Sequence, residues 1–514
     1  MQGSRPLRQS ILVRGLVAVL AIGAIALAIS QLRGAAQGLS ITRTTVGSTP
    51  VTLFRPSTPG KAPVVVIAHG FAGSQQLMQP FALTLARNDY LAVTFDFLGH
   101  GRNPQPMRGD ITEGTGITAA LLKELGEVAT YARSLPGSDG RLAVLGHSMA
   151  SDIVVRYGKA NPEVQATVAV SVFSKVATAT SPRNLLVIVG ALEPAMLRDE
   201  GLRIVGMATG GPAVAGESYG SFQAGTARKL VLAGGVEHIG VLYSQDSLQA
   251  ALQWVDAAFD HAGNGFIDSR GLSLALLFAG LIALAWPLSA LLPQAAAAPV
   301  GSSLGWKPLL LAALLPALLT PLLLWKAPTD FLSILLGDYL ALHFLVYGAL
   351  TAALLLCLRP RGPMTAGVSW RAIAIAAFAV AAYNLLAFGL PMDAYVFSFA
   401  PIPARWPVMA AIALGALPYF IADEWLTRGA SVRRGAYALT KFAFLLSLAI
   451  AILLNPMKLF FLAIIVPAIL LLFFAFGLIS RWCYHATNHP LPGALANAAI
   501  FSWAIAVTFP MVVR

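Results

Sequence analysis

Charged side chains are scarce in this sequence. Asp, Glu, Lys and Arg make up 11% of its 514 residues, whereas about a quarter of an ordinary soluble domain is charged. The shortage is uneven: residues 40–265 carry the charges and turns of a globular domain, whereas 271–514 consist of apolar stretches of about 20 residues, enough to cross a bilayer. The composition predicts an integral membrane protein in three parts. Residues 1–39 are a transmembrane anchor or signal segment, 40–265 a globular domain, and 271–514 a polytopic domain of about eight transmembrane helices.

Cysteine is rarer still. The two cysteines, Cys357 and Cys483, both lie in the apolar part, so the globular domain cannot contain a disulfide framework. Cys483 together with His485 and His489 gives only a weak metal-binding pattern, because one thiol and two imidazoles in a short basic loop are few ligands. Neither a metal ion nor another cofactor is expected.

Acidic residues are outnumbered by basic ones, and the formal net charge is +12. A positive charge can attract nucleic acid, but many of the arginines flank apolar spans, which is the positive-inside pattern of membrane proteins. Nucleic acid is therefore not an expected partner. The flanking arginines are Arg5, Arg8, Arg14, Arg359, Arg361, Arg428, Arg433, Arg434 and Arg481.

The same charges orient the chain. Residues 15–32 form a first apolar segment, and Ala26-Leu27-Ala28 resembles a cleavage site, so both a signal peptide and a retained anchor fit, with the anchor preferred. If residues 40–265 are exported, the basic loops fall in the cytoplasm and the chain crosses the membrane nine times, ending outside. This arrangement suits a bacterial inner-membrane protein with a periplasmic domain. The downstream spans are expected near 272–293, 308–325, 332–357, 370–390, 406–424, 436–454, 459–480 and 494–511.

A serine motif follows an apolar run in the globular domain. Gly146-His147-Ser148-Met149-Ala150 comes directly after Leu142-Ala143-Val144-Leu145. A strand that passes through a small-x-Ser-x-small turn into a helix is typical of a nucleophile elbow, in which a strained serine projects its hydroxyl from the end of a sheet. Glu193 lies 45 residues after Ser148, and His238 another 45 after Glu193. The order nucleophile, acid, histidine is the one that this kind of site uses.

Apolar runs alternate with helix-like segments through the globular domain, which predicts a mainly parallel sheet with flanking helices. The expected strands are 64–68, 92–96, 142–145, 167–172, 185–189 and 230–233. Five motifs in order make residues 50–260 resemble an α/β-hydrolase. They are His69-Gly70-Phe71 at the oxyanion loop, Asp96–Arg102 as a D-x-x-G-H-G-x turn, the serine elbow, Val189–Pro194 at the acid loop, and Val236-Glu237-His238 at the histidine loop.

The resemblance implies a catalytic triad. Ser148 is the expected nucleophile, His238 its base, and Glu193 the carboxylate that orients the imidazole. The backbone N–H groups of Met149 and Phe71 are the expected oxyanion hole.

Two positions depart from the usual pattern, since Ala150 replaces the common glycine and the acid is Glu rather than Asp. Asp199 is an alternative acid, because the following helix could bring it near. His69, His100 and His147 are expected to shape the site rather than react. Only residues 173–184 separate two of the expected strands where the family inserts a lid, so no separate lid domain is expected.

Eight downstream spans exceed what an anchor needs. Ionisable groups inside a membrane are candidates for function, and Asp338 and His343 share one span, although their spacing puts them only loosely on one face. The alternative is that they line contacts between helices or an exterior crevice.

The sequence therefore predicts a membrane-embedded serine hydrolase of the esterase, lipase or thioesterase type. Its expected partners are a small-molecule or lipid-like ester and the membrane lipids. Two alternatives remain: an acyltransferase that uses the same acyl-enzyme, and a transporter-like protein with an accessory hydrolase-fold domain.

Overall fold

The computed structural model describes residues 5–57, 60–108, 116–358 and 367–513 of the chain. Arg359 and Arg361, two of the arginines expected in cytoplasmic loops, lie outside the described residues.

Nine strands among these residues form one sheet. Its order is β1-β2-β4-β3-β5-β6-β7-β9-β8, with β3, β4, β5, β6, β7 and β9 parallel to one another. The first two strands form an antiparallel hairpin at one edge, and β8 pairs antiparallel with β9 at the other. The strands are β1 (Leu39–Val46), β2 (Thr49–Pro56), β3 (Ala62–Ala68), β4 (Leu91–Phe95), β5 (Ser138–His147), β6 (Val164–Val170), β7 (Leu185–Gly190), β8 (Ser218–Tyr219) and β9 (Arg228–Ala233).

The central strands are buried on both faces. In β3, Val65 and Ile67 point into a core beneath α2 and α6, whereas Val64 and Val66 point into a second core beneath α3 and α4. Successive side chains of a strand alternate between the faces of the sheet, so a continuous apolar run serves two helix layers at once. The helices of this domain are α2 (Gln79–Arg87), α3 (Gly116–Ser134), α4 (Met149–Ala160), α5 (Ala195–Thr209) and α6 (Gln245–Phe259).

The expected fold class is confirmed: a mainly parallel sheet with flanking helices is joined to a helical region. Within the part of the chain that the structure describes, nine helices are long and apolar enough to cross a membrane, which marks a membrane protein. The helices of this region are α1 (Arg5–Gly34), α7 (Gly271–Leu288), α8 (Trp306–Leu324), α9 (Gly337–Leu358), α10 (Trp370–Tyr383), α11 (Gly389–Tyr395), α12 (Trp406–Thr427), α13 (Ala436–Leu454), α14 (Pro456–Thr487) and α15 (Leu491–Thr508). A π-helical turn, Asn384–Phe388, joins α10 to α11 in one span.

Small residues let the membrane helices approach closely. A Cβ on Gly348 of α9 would lie 2.3 Å from the Tyr419 nitrogen of α12, and one on Gly415 would lie 2.2 Å from the Ala341 oxygen. Both contacts would be with backbone atoms, so no side chain fits. This is the small-residue packing by which helices associate in lipid.

The membrane helices contact the globular domain at the carboxyl edge of its sheet. The Met107 N–H donates to the Met511 carbonyl at 2.9 Å, and the Met511 N–H donates to the Gly99 carbonyl at 2.8 Å. Arg102 pairs with Asp393, which belongs to α11, at 2.5 Å. The loop that follows β4 is therefore held against α11 and the residues after α15. In the loop after β3, Ser74 Oγ accepts the N–H of Ser398, just beyond α11, at 2.9 Å.

Candidate active site

Ser148 lies at a sharp turn between β5 and α4. Its φ of 55° and ψ of −116° place it in a backbone region that residues other than glycine rarely adopt. The turn is tight: a Cβ on Gly146 would lie 2.3 Å from the Ala150 oxygen. Ala150 itself is fully buried in the core beneath α3 and α4, which accommodates its methyl group. These residues therefore form the expected strand–turn–helix elbow.

The structure brings Ser148, His238 and Glu193 together in one hydrogen-bonded chain. His238 Nε2 lies 2.9 Å from Ser148 Oγ, and His238 Nδ1 lies 2.6 Å from Glu193 Oε2. The three residues come from the elbow, from the loop after β9 and from the loop after β7. With Nδ1–H donating to the carboxylate, Nε2 is left to accept the proton of the serine hydroxyl.

Hydrogen bonds to the second carboxylate oxygen of Glu193 fix the orientation of its side chain. Oε1 accepts the Gly190 N–H at 2.7 Å and the Ser171 hydroxyl at 2.8 Å, and the side chain of Glu193 is fully buried. Ser171 was not predicted as part of the site. Its position directly after β6, at the edge of the sheet where the elbow lies, could have indicated it. Asp199 lies on α5, where it is exposed and pairs with Arg198 at 3.4 Å. The structure thus places Glu193, and not Asp199, against the imidazole.

The loop after β3 lies directly against the elbow. A Cβ on Gly70 would lie 2.9 Å from the Ser148 Cβ, so Phe71 follows at a point adjacent to the serine. Met149 is the first residue of α4, and the N–H of a first helical residue has no acceptor within the helix. Phe71 and Met149, the residues expected to form the oxyanion hole, therefore both lie next to Ser148.

His147 supports the loop that carries His238. Its Nε2 lies 2.9 Å from the His238 carbonyl oxygen, and the two rings are 4.8 Å apart between centroids. Burial holds the pKa of His147 well below its usual value, so the ring is neutral and its Nε2–H donates to that carbonyl. His147 therefore positions the imidazole beside Ser148.

Two other buried histidines hold the neighbouring loops. His69 Nε2 accepts the Phe97 N–H at 3.1 Å, and His100 Nδ1–H donates to the Leu98 carbonyl at 2.9 Å. Burial lowers the pKa of His69 and lowers that of His100 further. Both rings fasten the turn that follows β4.

Two carboxylates also hold this turn in place: Asp96, the first residue of the D-x-x-G-H-G-x motif, and Glu124, which no sequence motif indicated. Asp96 accepts the backbone N–H of Gln75 at 2.8 Å and that of Arg102 at 3.0 Å, which ties the loops after β3 and β4 together. Glu124 accepts the Leu98 N–H at 2.8 Å and the Asn103 amide at 2.8 Å, and burial raises its pKa to about 6. Asp96 therefore ties the segment after β3 to the turn after β4, and Glu124 holds that turn in place.

Acidification is expected to destabilise the protein through its buried histidines. On unfolding, the pKa of each of the three histidines returns to its ordinary value near 6.5. The unfolded chain therefore binds protons at His69, His100 and His147 that the folded protein does not bind. Their contribution to stability is complete above about pH 6.5 and is lost as the pH falls below it. The free energy of unfolding should drop by up to about 4 kcal/mol per pH unit for three protons.

This prediction is checked by following the melting temperature from pH 7.5 to 5.5 in one detergent. Glu124 acts in the opposite direction, since its raised pKa gives stability that is present at acid pH and lost as the pH rises through about 6. Its effect on the pH dependence of stability corresponds to at most one proton, against three for the histidines. The variant His100→Gln should lessen the slope, and a melting temperature that stays constant over this range would contradict the prediction.

The intramembrane pair shares a neighbour, Tyr339. Asp338 lies in the first turn of α9, where its carboxylate accepts the Phe331 N–H at 2.9 Å and the Tyr339 N–H at 3.0 Å. His343 is buried among aromatic rings, with its Nδ1 3.4 Å from the Tyr339 hydroxyl and its ring 5.4 Å from that of Phe444. A joint site of Asp338 and His343 stays a prediction.

No group of three or more His, Cys, Asp or Glu side chains that could hold a metal ion is found among the described residues. Cys483 is buried within α14, and its carbonyl oxygen accepts the hydroxyl of Thr487 at 2.9 Å.

Comparison with known proteins agrees with the α/β architecture described above. The profile of a family described as serine aminopeptidase, S33, matches residues 60–199, a segment that includes the elbow and Glu193. No curated protein sequence matches the chain significantly. The family profile confirms the resemblance to α/β-hydrolases in the N-terminal region that it matches.

Several solved structures are similar to part of the chain. A putative dienelactone hydrolase from Klebsiella pneumoniae is 19% identical, covering 43% of this chain and 98% of that one, with a TM-score of 0.31. An esterase from Pyrobaculum calidifontis is 16% identical, covering 48% and 93%, with a TM-score of 0.32. A membrane phospholipase A described as a bacterial virulence factor is 13% identical, covering 50% and 99%, with a TM-score of 0.32.

Proposed function

We propose that this protein is a membrane-embedded serine hydrolase that cleaves a carboxylic ester or thioester through an acyl-enzyme on Ser148. The observation that carries the proposal is the chain of hydrogen bonds from Ser148 through His238 to the buried Glu193. A serine hydroxyl is a weak nucleophile until a base takes its proton, and the imidazole is in position to do so. Glu193 orients that imidazole and stabilises its protonated form.

The reaction takes two steps. Ser148 Oγ attacks the carbonyl carbon of the ester while His238 Nε2 takes the hydroxyl proton, and the resulting oxyanion is stabilised by the N–H groups of Met149 and Phe71. The carbon–oxygen bond to the alcohol then breaks, and His238 returns the proton to that alcohol. In the second step His238 takes a proton from water, the hydroxide attacks the acyl carbon, and Ser148 leaves with the proton as the free acid forms.

The surroundings of Ser148 support an acyl ester over the amino terminus of a peptide. An aminopeptidase site has to bind a cationic amine, for which a carboxylate is the natural partner. Glu237, the acidic neighbour of His238, turns its carboxylate onto the backbone N–H groups of Ile239 and Gly240, both at 2.8 Å. Large apolar side chains are exposed around the triad instead, among them Leu192 and Ile239.

We also propose that the hydrolase-fold domain lies on the periplasmic side of a bacterial inner membrane. The domain contacts the amino end of α12 through Arg405, which donates to the Gly99 carbonyl at 2.8 Å. The basic residues Arg428, Arg433 and Arg434 follow the carboxyl end of the same helix, and so lie at the far side of the span. Basic residues accumulate on the cytoplasmic side, which supports this orientation.

The test is a substrate panel with the purified full-length protein in lipid. We expect p-nitrophenyl acyl esters and acyl thioesters to be hydrolysed with a kcat/KM at least about 100-fold above that of aminoacyl p-nitroanilides. Mass spectrometry of the quenched reaction should show an acyl adduct on the peptide that contains Ser148. The reverse ranking would identify an aminopeptidase. If added alcohols accept the acyl group in preference to water, the protein is an acyltransferase.

A further inference from the structure

The expected oxyanion loop rests on a membrane helix. The ring of Phe71 stacks on that of Phe461 in α14, with centroids 4.3 Å apart and planes 30° apart. Ala72, Leu77 and Tyr243 of the hydrolase-fold domain also pack against the core of the membrane helices. Tyr243 lies five residues after His238. One side of the candidate active site is therefore formed by membrane-spanning helices.

Phe461 lies close to the end of its span. It is the sixth residue of α14, about 8 Å along the helix axis from the first. Its neighbours Met457 and Phe460 have 80% and 53% of their surface exposed, and in a bilayer such apolar side chains on a spanning helix face lipid. The ring of Phe461 thus lies between the lipid at this end of the span and the loop beside Ser148.

The opposite side of the site carries an apolar rim, formed by Phe173, Leu192, Met196 and Ile239. Their exposed fractions are 50%, 67%, 55% and 38%. Leu192 is next to Glu193 and Ile239 is next to His238, while Phe173 follows Ser171 by two residues. Scattered exposed apolar residues are ordinary, but several around one site indicate a surface that meets another apolar phase.

The apolar rim and the ends of the membrane spans lie at the same edge of the sheet. The loops after parallel strands all emerge at the carboxyl edge of a sheet. The loops after β3 and β4 contact the membrane helices at this edge, and those after β6, β7 and β9 carry the apolar rim. The membrane helices also contact Tyr243, which follows His238 in the segment after β9, so the apolar rim stands beside residues that pack against the membrane helices.

We infer that the substrate of the proposed esterase is an acyl ester of a membrane lipid, which reaches Ser148 from the adjacent leaflet between Phe461 and the apolar rim. The inference rests on the proposed function. The acyl chain passes along Phe461 while its carbonyl reaches the serine, and the apolar rim sits in the interfacial layer and keeps the site open to lipid. Membrane helices take the place of a lid, since residues 171–184, all of them described, contain neither helix nor strand.

The test compares a bilayer-held ester with a soluble one on the same enzyme. The full-length protein is reconstituted in phosphatidylcholine vesicles and assayed with 4-methylumbelliferyl oleate and 4-methylumbelliferyl butyrate. The measured quantity is the ratio of kcat/KM for oleate to that for butyrate. Phe461→Ala should lower this ratio about tenfold, because a hydrophobic contact to the chain is removed. The control Phe378→Ala changes a ring on α10 that is 77% exposed, and it should keep the ratio of the wild type.

A second variant keeps the inference testable if loss of the stacked ring disturbs folding. Leu192→Ser/Met196→Ser changes two exposed positions and should lower the same ratio about tenfold by weakening insertion into the interface. An unchanged ratio in both variants would overturn lipid access, and would leave the apolar rim as a surface for a protein partner. Failure of the proposed function looks different: the wild-type enzyme then hydrolyses neither ester, or prefers the aminoacyl anilides.

Discussion

Ser148→Ala is expected to lower kcat for ester hydrolysis by about 10⁶-fold, the loss seen when a serine nucleophile is removed from an intact triad. The alanine has no atom that can form the acyl bond, so the residual rate reflects only binding and the oxyanion hole. The hydroxyl removed here is the one that lies 2.9 Å from His238 Nε2. The substitution adds no bulk at the strained turn, so expression and membrane insertion should be retained.

The measurement combines turnover of a p-nitrophenyl ester with labelling by a fluorophosphonate probe, which reacts only with an activated serine. Labelling should disappear in Ser148→Ala. The matched control is Ser134→Ala at the end of α3, where the hydroxyl only donates to the Tyr131 carbonyl at 2.8 Å. This control should be labelled like the wild type. Undiminished labelling of Ser148→Ala would remove Ser148 from the role of nucleophile.

The order of the site along the chain could be predicted because each part directly follows a buried strand. Ser148, Glu193 and His238 occur after apolar runs whose carboxyl ends meet at one edge of a parallel sheet. The partners that orient them could not be predicted in this way. Ser171 donates to Glu193 across 22 residues, and His147 donates to the His238 carbonyl across 91. Such contacts depend on loop conformations that no local pattern specifies.

The strands and helices of the fold likewise fall into those that the sequence predicted and those that it did not. Six of the buried strands, β3 to β7 and β9, were predicted, because apolar runs between turns are a strong signal. The hairpin of β1 and β2 was missed: most residues of β1 are exposed and its Thr-rich sequence has no apolar run, whereas β2 is largely buried but was not among the expected strands. The spans were predicted from length and hydropathy, whereas α14 continues past the expected end at residue 480 to Thr487, through Arg481 and His485.

No sequence pattern predicts the contact between the hydrolase-fold domain and the membrane helices. Arg102 and Asp393 are 291 residues apart, and each also resembles an ordinary surface charge. Phe71 and Phe461 are each one aromatic residue among many. Only the folded chain places the membrane helices against the candidate site, which gives spans that exceed the needs of an anchor a part in the proposed substrate path.

Glu193→Gln is expected to lower kcat by about 10⁴-fold, as loss of the triad carboxylate does in serine proteases. The physical reason is the pattern of donors around the side chain. Glu193 accepts from Gly190 N–H and Ser171 on one oxygen and from His238 Nδ1–H on the other. An amide has only one acceptor oxygen, so one side must face a donor with its NH₂ group. If the oxygen stays with Gly190, the NH₂ group turns toward the imidazole and favours the tautomer whose Nε2 carries a proton and cannot accept that of Ser148.

The matched control is Asp199→Asn, which makes the same chemical change at an exposed carboxylate on α5 that pairs only loosely with Arg198, at 3.4 Å. It should keep kcat within about twofold, since an exposed pair of this kind contributes little. Both substitutions preserve side-chain size, so the comparison separates the loss of an acceptor from the loss of packing. Glu193→Gln should still react slowly with the fluorophosphonate probe, because Ser148 is present but poorly activated. If Asp199→Asn loses activity while Glu193→Gln keeps it, the acid of the triad lies on α5, and the hydrogen bond from His238 to Glu193 holds the loop after β7 rather than the catalytic imidazole.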